Sequence, residues 1–245
     1  MIRAMRWGMV SLLAVALVAS VGQAAGQAGV GATAGPVNSA SLVVPIGEYH
    51  EGYAYCADSA GGLDEAGPVG DSSPVYAGAG IGSGGAEGMT GPMAAVATAS
   101  ATPGAGVSAA SYGYGYNAIQ FLVLDTVPVT FTADYLIDIG LSTDVAGDTA
   151  GGSAVVALSL YDELGNLVDE DVFDLYPYVE NGDDFYGTPY GTLSVSGLFA
   201  TGTLATVTVW ADAEAMAYSV PAPGALLLGT FGAGLAGWLR RRKAV

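Results

Sequence analysis

Between Arg6 and Arg240 the chain contains no lysine and no arginine, and it holds one histidine, His50, and one cysteine, Cys56. A lone cysteine cannot close an internal disulfide, so Cys56 is either buried and inert or open to intermolecular pairing. One histidine rules out a histidine-rich zinc site. Phosphate backbones and anionic lipid surfaces are gripped through Lys and Arg, so a body without either excludes nucleic acid as a partner. No body segment carries a sustained helical stripe with caps, and neither a Walker A nor a Leu-Pro-x-Thr-Gly sequence is present. What remains is acidic: all 23 Asp and Glu residues fall from Glu48 to Glu214.

The basic residues sit at the two ends, and both ends read as addresses. Residues 1–28 have Arg3 and Arg6, then the apolar run Trp7–Ala19, then small residues around Gly22-Gln23-Ala24. That order predicts a secretory signal peptide cut between Ala24 and Ala28. At the other end, Val220 to Leu239 is an uncharged run of twenty residues, long enough for one transmembrane helix. Arg240, Arg241, Arg242 and Lys243 follow it as a cytoplasmic stop, which leaves the body outside by the positive-inside rule. Glycines at 224, 229, 232, 234 and 237 make the span a weak anchor.

Val220-Pro221-Ala222-Pro223, the Gly-Ala-Leu span to Leu239 and the Arg-Arg-Arg-Lys close resemble the PEP-CTERM sorting signal of exported proteins in Gram-negative bacteria. The resemblance covers residues 220–245. It implies that Val220, Pro221, Ala222 and Pro223 form the sorting motif, with Ala222 where the name-giving pattern has Glu. It also implies a membrane-embedded exosortase as the processing partner, with the inner membrane as a transient anchor before processing. A plain C-terminal membrane anchor is the competing reading. A glycosylphosphatidylinositol signal would end in its hydrophobic tail, and the basic terminus argues against it.

The body divides by composition. Residues 29–115 are crowded with Gly, Ala, Ser and Pro, as in Gly78–Gly85 and Met93–Ser100. Such side chains bury little area against the entropy of ordering, so the region is expected to be low-complexity or loop-rich, with a short strand near Ser41–Val44. From Asn117 the pattern turns to strands. In Thr126–Tyr135, Val127, Val129, Phe131, Ala133 and Tyr135 share one face, and Pro128 suggests an edge strand or a bulge. Val155–Tyr161 and Leu167–Phe173 flank Leu164-Gly165-Asn166 as a hairpin. Leu193–Phe199 and Leu204–Met216 add strands around Thr201-Gly202-Thr203. The fold class predicted is all-β: an antiparallel, jelly-roll-like β-sandwich over residues 116–219 with Gly/Ala-rich loops.

Chemical signals are weak. Gly80-x-Gly82-x-x-Gly85 matches a dinucleotide fingerprint in spacing, but lacks the strand and helix that would flank it. A Cys56–His50 nucleophile pair would need a base, an oxyanion site and a walled pocket. Asp169-Glu170-Asp171 and Asp183-Asp184 offer oxygen ligands for calcium without the spaced loop that fixes a site, so solvated turns are the simpler reading. No pair of carboxylates stands out as the two a glycosidase needs. Tyr112-Gly113-Tyr114-Gly115-Tyr116 is either a connector or an aromatic surface for stacking on sugars or for self-association. The expectation is therefore a non-enzymatic exported protein of the cell envelope or extracellular matrix, structural or adhesive, with no cofactor and no resident metal. The alternative is an extracellular polysaccharide-binding sandwich, calcium-assisted or not. An extracellular hydrolase ranks third.

Overall fold

The computed structural model describes residues 26–39, 43–91, 93–126 and 128–220, and every regular element among them is a β-strand. In chain order these are β1 (Gln27–Ser39), β2 (Val43–Asp58), β3 (Leu63–Asp71), β4 (Tyr76–Ile81), β5 (Gly84–Gly91), β6 (Ala94–Ala101) and β7 (Ser108–Val123). There follow β8 (Pro128–Ser142), β9 (Thr149–Tyr161), β10 (Leu167–Leu175), β11 (Tyr178–Glu180), β12 (Asp184–Gly187), β13 (Tyr190–Leu198) and β14 (Leu204–Tyr218). They form two seven-stranded sheets with every pairing antiparallel. One runs β12-β8-β1-β6-β5-β4 with β13 also on β8; the other runs β10-β9-β14-β7-β2-β3 with β11 also on β9. The expected β-sandwich is present as two packed antiparallel sheets.

Residues 27–115 differ from the expected loops: they form β1 to β6 and the first half of β7. Small residues recur there with period two, which is strand geometry. Ala28, Val30, Ala32 and Ala34 of β1 face inward beside Ala95, Ala97, Ala99 and Ala101 of β6, and all are buried. Ordering these residues is offset by a very close approach of the two sheets. A Cβ built on Gly115 would lie 2.5 Å from Met89 O and 2.7 Å from Val96 O, and one on Gly113 would lie 2.5 Å from Thr98 O. Backbone there meets backbone, well inside the roughly 10 Å usual between packed sheets. Gln27 and Ala28 already belong to β1, and the strand expected near Ser41–Val44 is the start of the 16-residue β2, with residues 41 and 42 outside the described residues.

The C-terminal half follows the sequence more closely. Val129, Phe131, Ala133 and Tyr135 face inward on β8 as their alternation requires. Pro128 does not mark an edge: β8 is an interior strand between β1 and β12/β13. Pro128 is its first residue, and the β1 pairing ends at Phe131, so no ladder bond to β1 is asked of it. The β9–β10 hairpin forms, with Gly165 at φ 81° in its turn. Asp162 holds that turn by accepting N–H bonds from Leu164 and Asn166 at 2.9 and 2.8 Å. The Thr201-Gly202-Thr203 turn binds β7, because Gly202 N donates to Val123 O and Val123 N to Thr203 O. Between β8, β13, β7, β9 and β14 the core contains Phe121 and Phe131, whose ring centroids are 4.8 Å apart, with Ile137, Ile139, Leu158, Leu160 and Leu193.

Candidate functional site

The sequence-flagged chemistry mostly disperses. His50 and Cys56 both face inward on β2, but six residues of strand separate them by about 20 Å, so they are not a nucleophile–base pair. Cys56 is fully buried among Ala54, Ala77, Ala79 and Ala86, and burial pushes its thiol up, which keeps it protonated and inert rather than open to another chain. His50 Nε2 lies 3.1 Å from Glu48 Oε2, a close approach outside hydrogen-bond alignment. Gly80 and Ile81 end β4, Gly82 and Ser83 make a two-residue turn, and Gly84 opens β5; the Gly80–Gly85 spacing is therefore a hairpin.

The acidic pairs are used by the fold. Asp169 and Asp171 lie half-buried on the side of β10 that turns towards β13: Asp171 Oδ2 accepts Ser194 N–H at 2.8 Å and Asp169 Oδ2 accepts Ser196 N–H at 2.7 Å. Those donors lie on the free side of β13. Across the molecule Asp64 Oδ2 of β3 accepts Gly80 N–H of β4 at 2.8 Å. Carboxylates of one sheet thus cap the open edges of the other on both flanks, a device that keeps further strands from adding there. Asp183 takes part through its backbone carbonyl, which accepts from Thr143 N and Oγ1. Among the described residues no group of three or more His, Cys, Asp or Glu side chains is placed to hold a metal ion.

Of the sorting-motif residues only Val220 is described. Its N–H donates to Asp148 Oδ1 at 2.8 Å, and Asp148 is itself fully buried. Pro221, Ala222, Pro223, Arg240, Arg241, Arg242 and Lys243 lie outside the described residues, as do residues 1–25 of the predicted signal peptide. No helix among the described residues is long and apolar enough to cross a membrane.

What the fold does assemble is the Tyr-Gly repeat. In β7 the glycines turn inward, where only hydrogen fits, and Tyr112, Tyr114 and Tyr116 turn outward on the sheet's solvent face. Pairing with β2 and β14 sets three consecutive cross-strand rows on that face. The rows are Glu51, Tyr116, Trp210; then Tyr53, Tyr114, Asp212; then Tyr55, Tyr112, Glu214. Rows two residues apart along a strand are about 7 Å apart, so the nine side chains tile an area of roughly 10 by 14 Å. Each row carries one carboxylate and two aromatic rings.

The rings contact one another and the carboxylates. Tyr53 and Tyr112 are 6.0 Å apart between centroids, Tyr114 and Tyr116 stack at 6.4 Å, and Tyr114 and Trp210 tilt at 6.4 Å. Such pairs each contribute about 0.5–1.5 kcal/mol beyond their buried area and restrain the rings. Tyr112 OH donates to Asp212 Oδ2 at 2.8 Å, and Tyr53 OH to Glu65 Oε1 at 3.1 Å. Burial, followed by the Asp212 carboxylate for Tyr112 and the Glu51 carboxylate for Tyr114, pushes both phenols well above the usual tyrosine range. Burial also raises the Asp212 carboxyl, with Glu214 adding to the rise and the Tyr112 hydroxyl opposing it. Tyr49, 45 % exposed, extends the face beside Glu51 through its hydroxyl at 3.3 Å. An aromatic surface was one of two readings of the Tyr112–Tyr116 segment; β2 and β14 as its neighbours could be found only through pairing.

No protein-family model matches the chain, and no curated protein aligns with it significantly.

Proposed function

We propose that the chain is an exported, non-enzymatic protein of the cell envelope or extracellular matrix that adheres to polysaccharide through the Tyr/Trp/carboxylate face of its β2–β7–β14 sheet. The observation that carries this reading is the three-row tiling, in which every row offers aromatic faces beside a hydrogen-bonding carboxylate. Pyranose rings have an apolar C–H face and a rim of hydroxyls. A cluster of rings receives the first, and carboxylate and phenol oxygens receive the second. The support is a sandwich backbone locked by direct sheet contact at Gly113 and Gly115, so binding orders little.

The ends belong to the same proposal. A signal peptide removed at or before Gly26 would leave β1 whole, since pairing reaches Gln27. The C-terminal run would form a transmembrane helix with Arg240, Arg241, Arg242 and Lys243 in the cytoplasm. An exosortase-type enzyme would then act at Val220-Pro221-Ala222-Pro223, directly beyond the bond that ties Val220 to Asp148. Mass spectrometry of the protein from cells and medium reads both termini, and an intact chain in the cytosol would falsify the export reading.

Binding is tested with the full chain on insoluble polysaccharides and on a glycan array, with and without calcium. Retention that disappears in Tyr114→Ala and Trp210→Ala, with the circular dichroism spectrum unchanged, is the expected result. Undiminished retention in both variants would place adhesion elsewhere.

A further inference from the structure

The face has a charge preference built into it. Resting on the polysaccharide reading, we infer that its ligand is an amine-bearing polysaccharide, a hexosamine polymer whose free amino groups are protonated. Three observations lead there. Each of the three aromatic rows contains one acid, Glu51, Asp212 or Glu214, and no residue from 7 to 239 is Lys or Arg, so nothing in that stretch offsets these charges. Asp212 is already held above the usual carboxylate range by burial, with Glu214 beside it. A neutral glycan laid over the rows would strip more water from those carboxylates and return only hydroxyl hydrogen bonds. An ammonium returns a charge-assisted bond to the carboxylate and a cation–π contact to Trp210 or Tyr114.

Other occupants fit less well. An anionic polysaccharide, or a second copy of this acidic body, would set like charges against one another. A peptide adding as a strand pairs with a sheet edge rather than with this face, and on the opposite sheet the edge N–H groups at Gly80, Ser194 and Ser196 are already taken by Asp64, Asp171 and Asp169. The sheet face remains, and its rows of rings and carboxylates extend along the strands as a linear sugar chain requires.

The test compares a glucosamine oligomer with its fully N-acetylated counterpart at a pH where the amines are charged. The full chain is titrated by calorimetry, with oligolysine as a sugar-free cation and a polyuronate as the anion. The glucosamine oligomer is expected to bind about tenfold more tightly than the acetylated form, with the difference shrinking as salt rises. Glu51→Gln, Asp212→Asn and Glu214→Gln together should erase that preference while leaving weak binding to both oligomers. Trp210→Ala should weaken both. Equal affinity for the two oligomers at low salt overturns the amine assignment and leaves the polysaccharide reading standing. Absence of binding to every sugar overturns both. Oligolysine binding as tight as glucosamine, and indifferent to Trp210→Ala, would make the face a plain cation surface and overturn the sugar-specific inference. The salt series on the unaltered chain decides the charge question even where the triple variant fails to fold.

Discussion

The two halves of the sandwich solve the same packing problem in opposite ways. Where β2 and the first half of β7 lie over β4, β5 and β6, the interior is Ala54, Cys56, Ala86, Gly88, Gly113 and Gly115, and the sheets meet backbone to backbone. Where the second half of β7 and β9 lie over β8 and β13, the interior is Phe121, Phe131, Ile137, Leu158 and Leu193, and side chains fill the gap. A single strand crosses both regimes: the inward positions of β7 run Ala109, Ser111, Gly113, Gly115, Asn117, Ile119, Phe121, Val123. The bulk missing from the converged interior has moved to the other side of its strands. Its large residues stand on the outside as Tyr53, Tyr55, Tyr112, Tyr114 and Tyr116, available to a ligand.

The strongest way to break the comparison is to shrink a residue in the filled half. Phe131→Ala is expected to cost about 3–5 kcal/mol, because its ring is fully buried against Phe121 and its strand is held by pairing with β1 on one side and β13 on the other. Chemical denaturation measures it. The converged half should show the reverse sensitivity. Gly115→Val should cost about 3 kcal/mol, since the added atoms meet the carbonyls of Met89 and Val96, which cannot turn aside as a side chain could. Ala97→Gly on the facing strand should cost only about 1 kcal/mol, mostly backbone entropy. A Gly115→Val protein of unchanged stability would show that the sheets are not in contact there.

How much of this was legible follows from the same contrast. Alternation of large apolar and polar residues announced β8, and Gly165 with Asn166 announced the β9–β10 hairpin, because burial of bulky side chains writes its period directly into sequence. In β1 and β6 the period is present, Ala28-x-Val30-x-Ala32-x-Ala34 and Ala95-x-Ala97-x-Ala99, but it alternates alanine with glycine, threonine or serine and so resembles low complexity. Small side chains become informative only when a second sheet is known to lie against them. The candidate face was half visible for a related reason: Tyr112–Tyr116 lies in one segment, whereas Glu51, Tyr53 and Trp210 join it through pairings just over sixty and nearly a hundred residues away in the chain. The roles of Asp169 and Asp171 in β10 were not legible, because the N–H groups they accept from belong to the other sheet.

Both halves share their edge protection, which offers a smaller, sharper test. Asp169→Ala with Asp171→Ala removes two acceptors from the free side of β13 in the filled half and should cost about 1 kcal/mol for each bond. Asp64→Ala removes the corresponding acceptor for β4 in the converged half. Both uncapped edges should show concentration-dependent association by light scattering, absent from the parent chain. Association of the parent at the same concentration would show that these caps do not govern assembly.

The smallest effect concerns the tyrosines that back the converged half. Tyr112 and Tyr114 have folded-state pKa values raised above the ordinary 10.0, chiefly by burial and then by the Asp212 and Glu51 carboxylates. The sign follows from which state holds the proton longer. Above about pH 10 an unfolded chain ionises these phenols while the folded face keeps them neutral, so the unfolded state gains and stability falls as pH rises towards the folded values. Below pH 10 both states are protonated and the contribution is complete. Phenolate absorbance of the folded chain should therefore lag behind that of the denatured chain. Replacing both residues by Phe should remove part of the lag and flatten the alkaline loss of stability. A double Phe variant with an unchanged titration would mean that these rings stand in water, and a ligand face made of restrained rings would lose its physical basis.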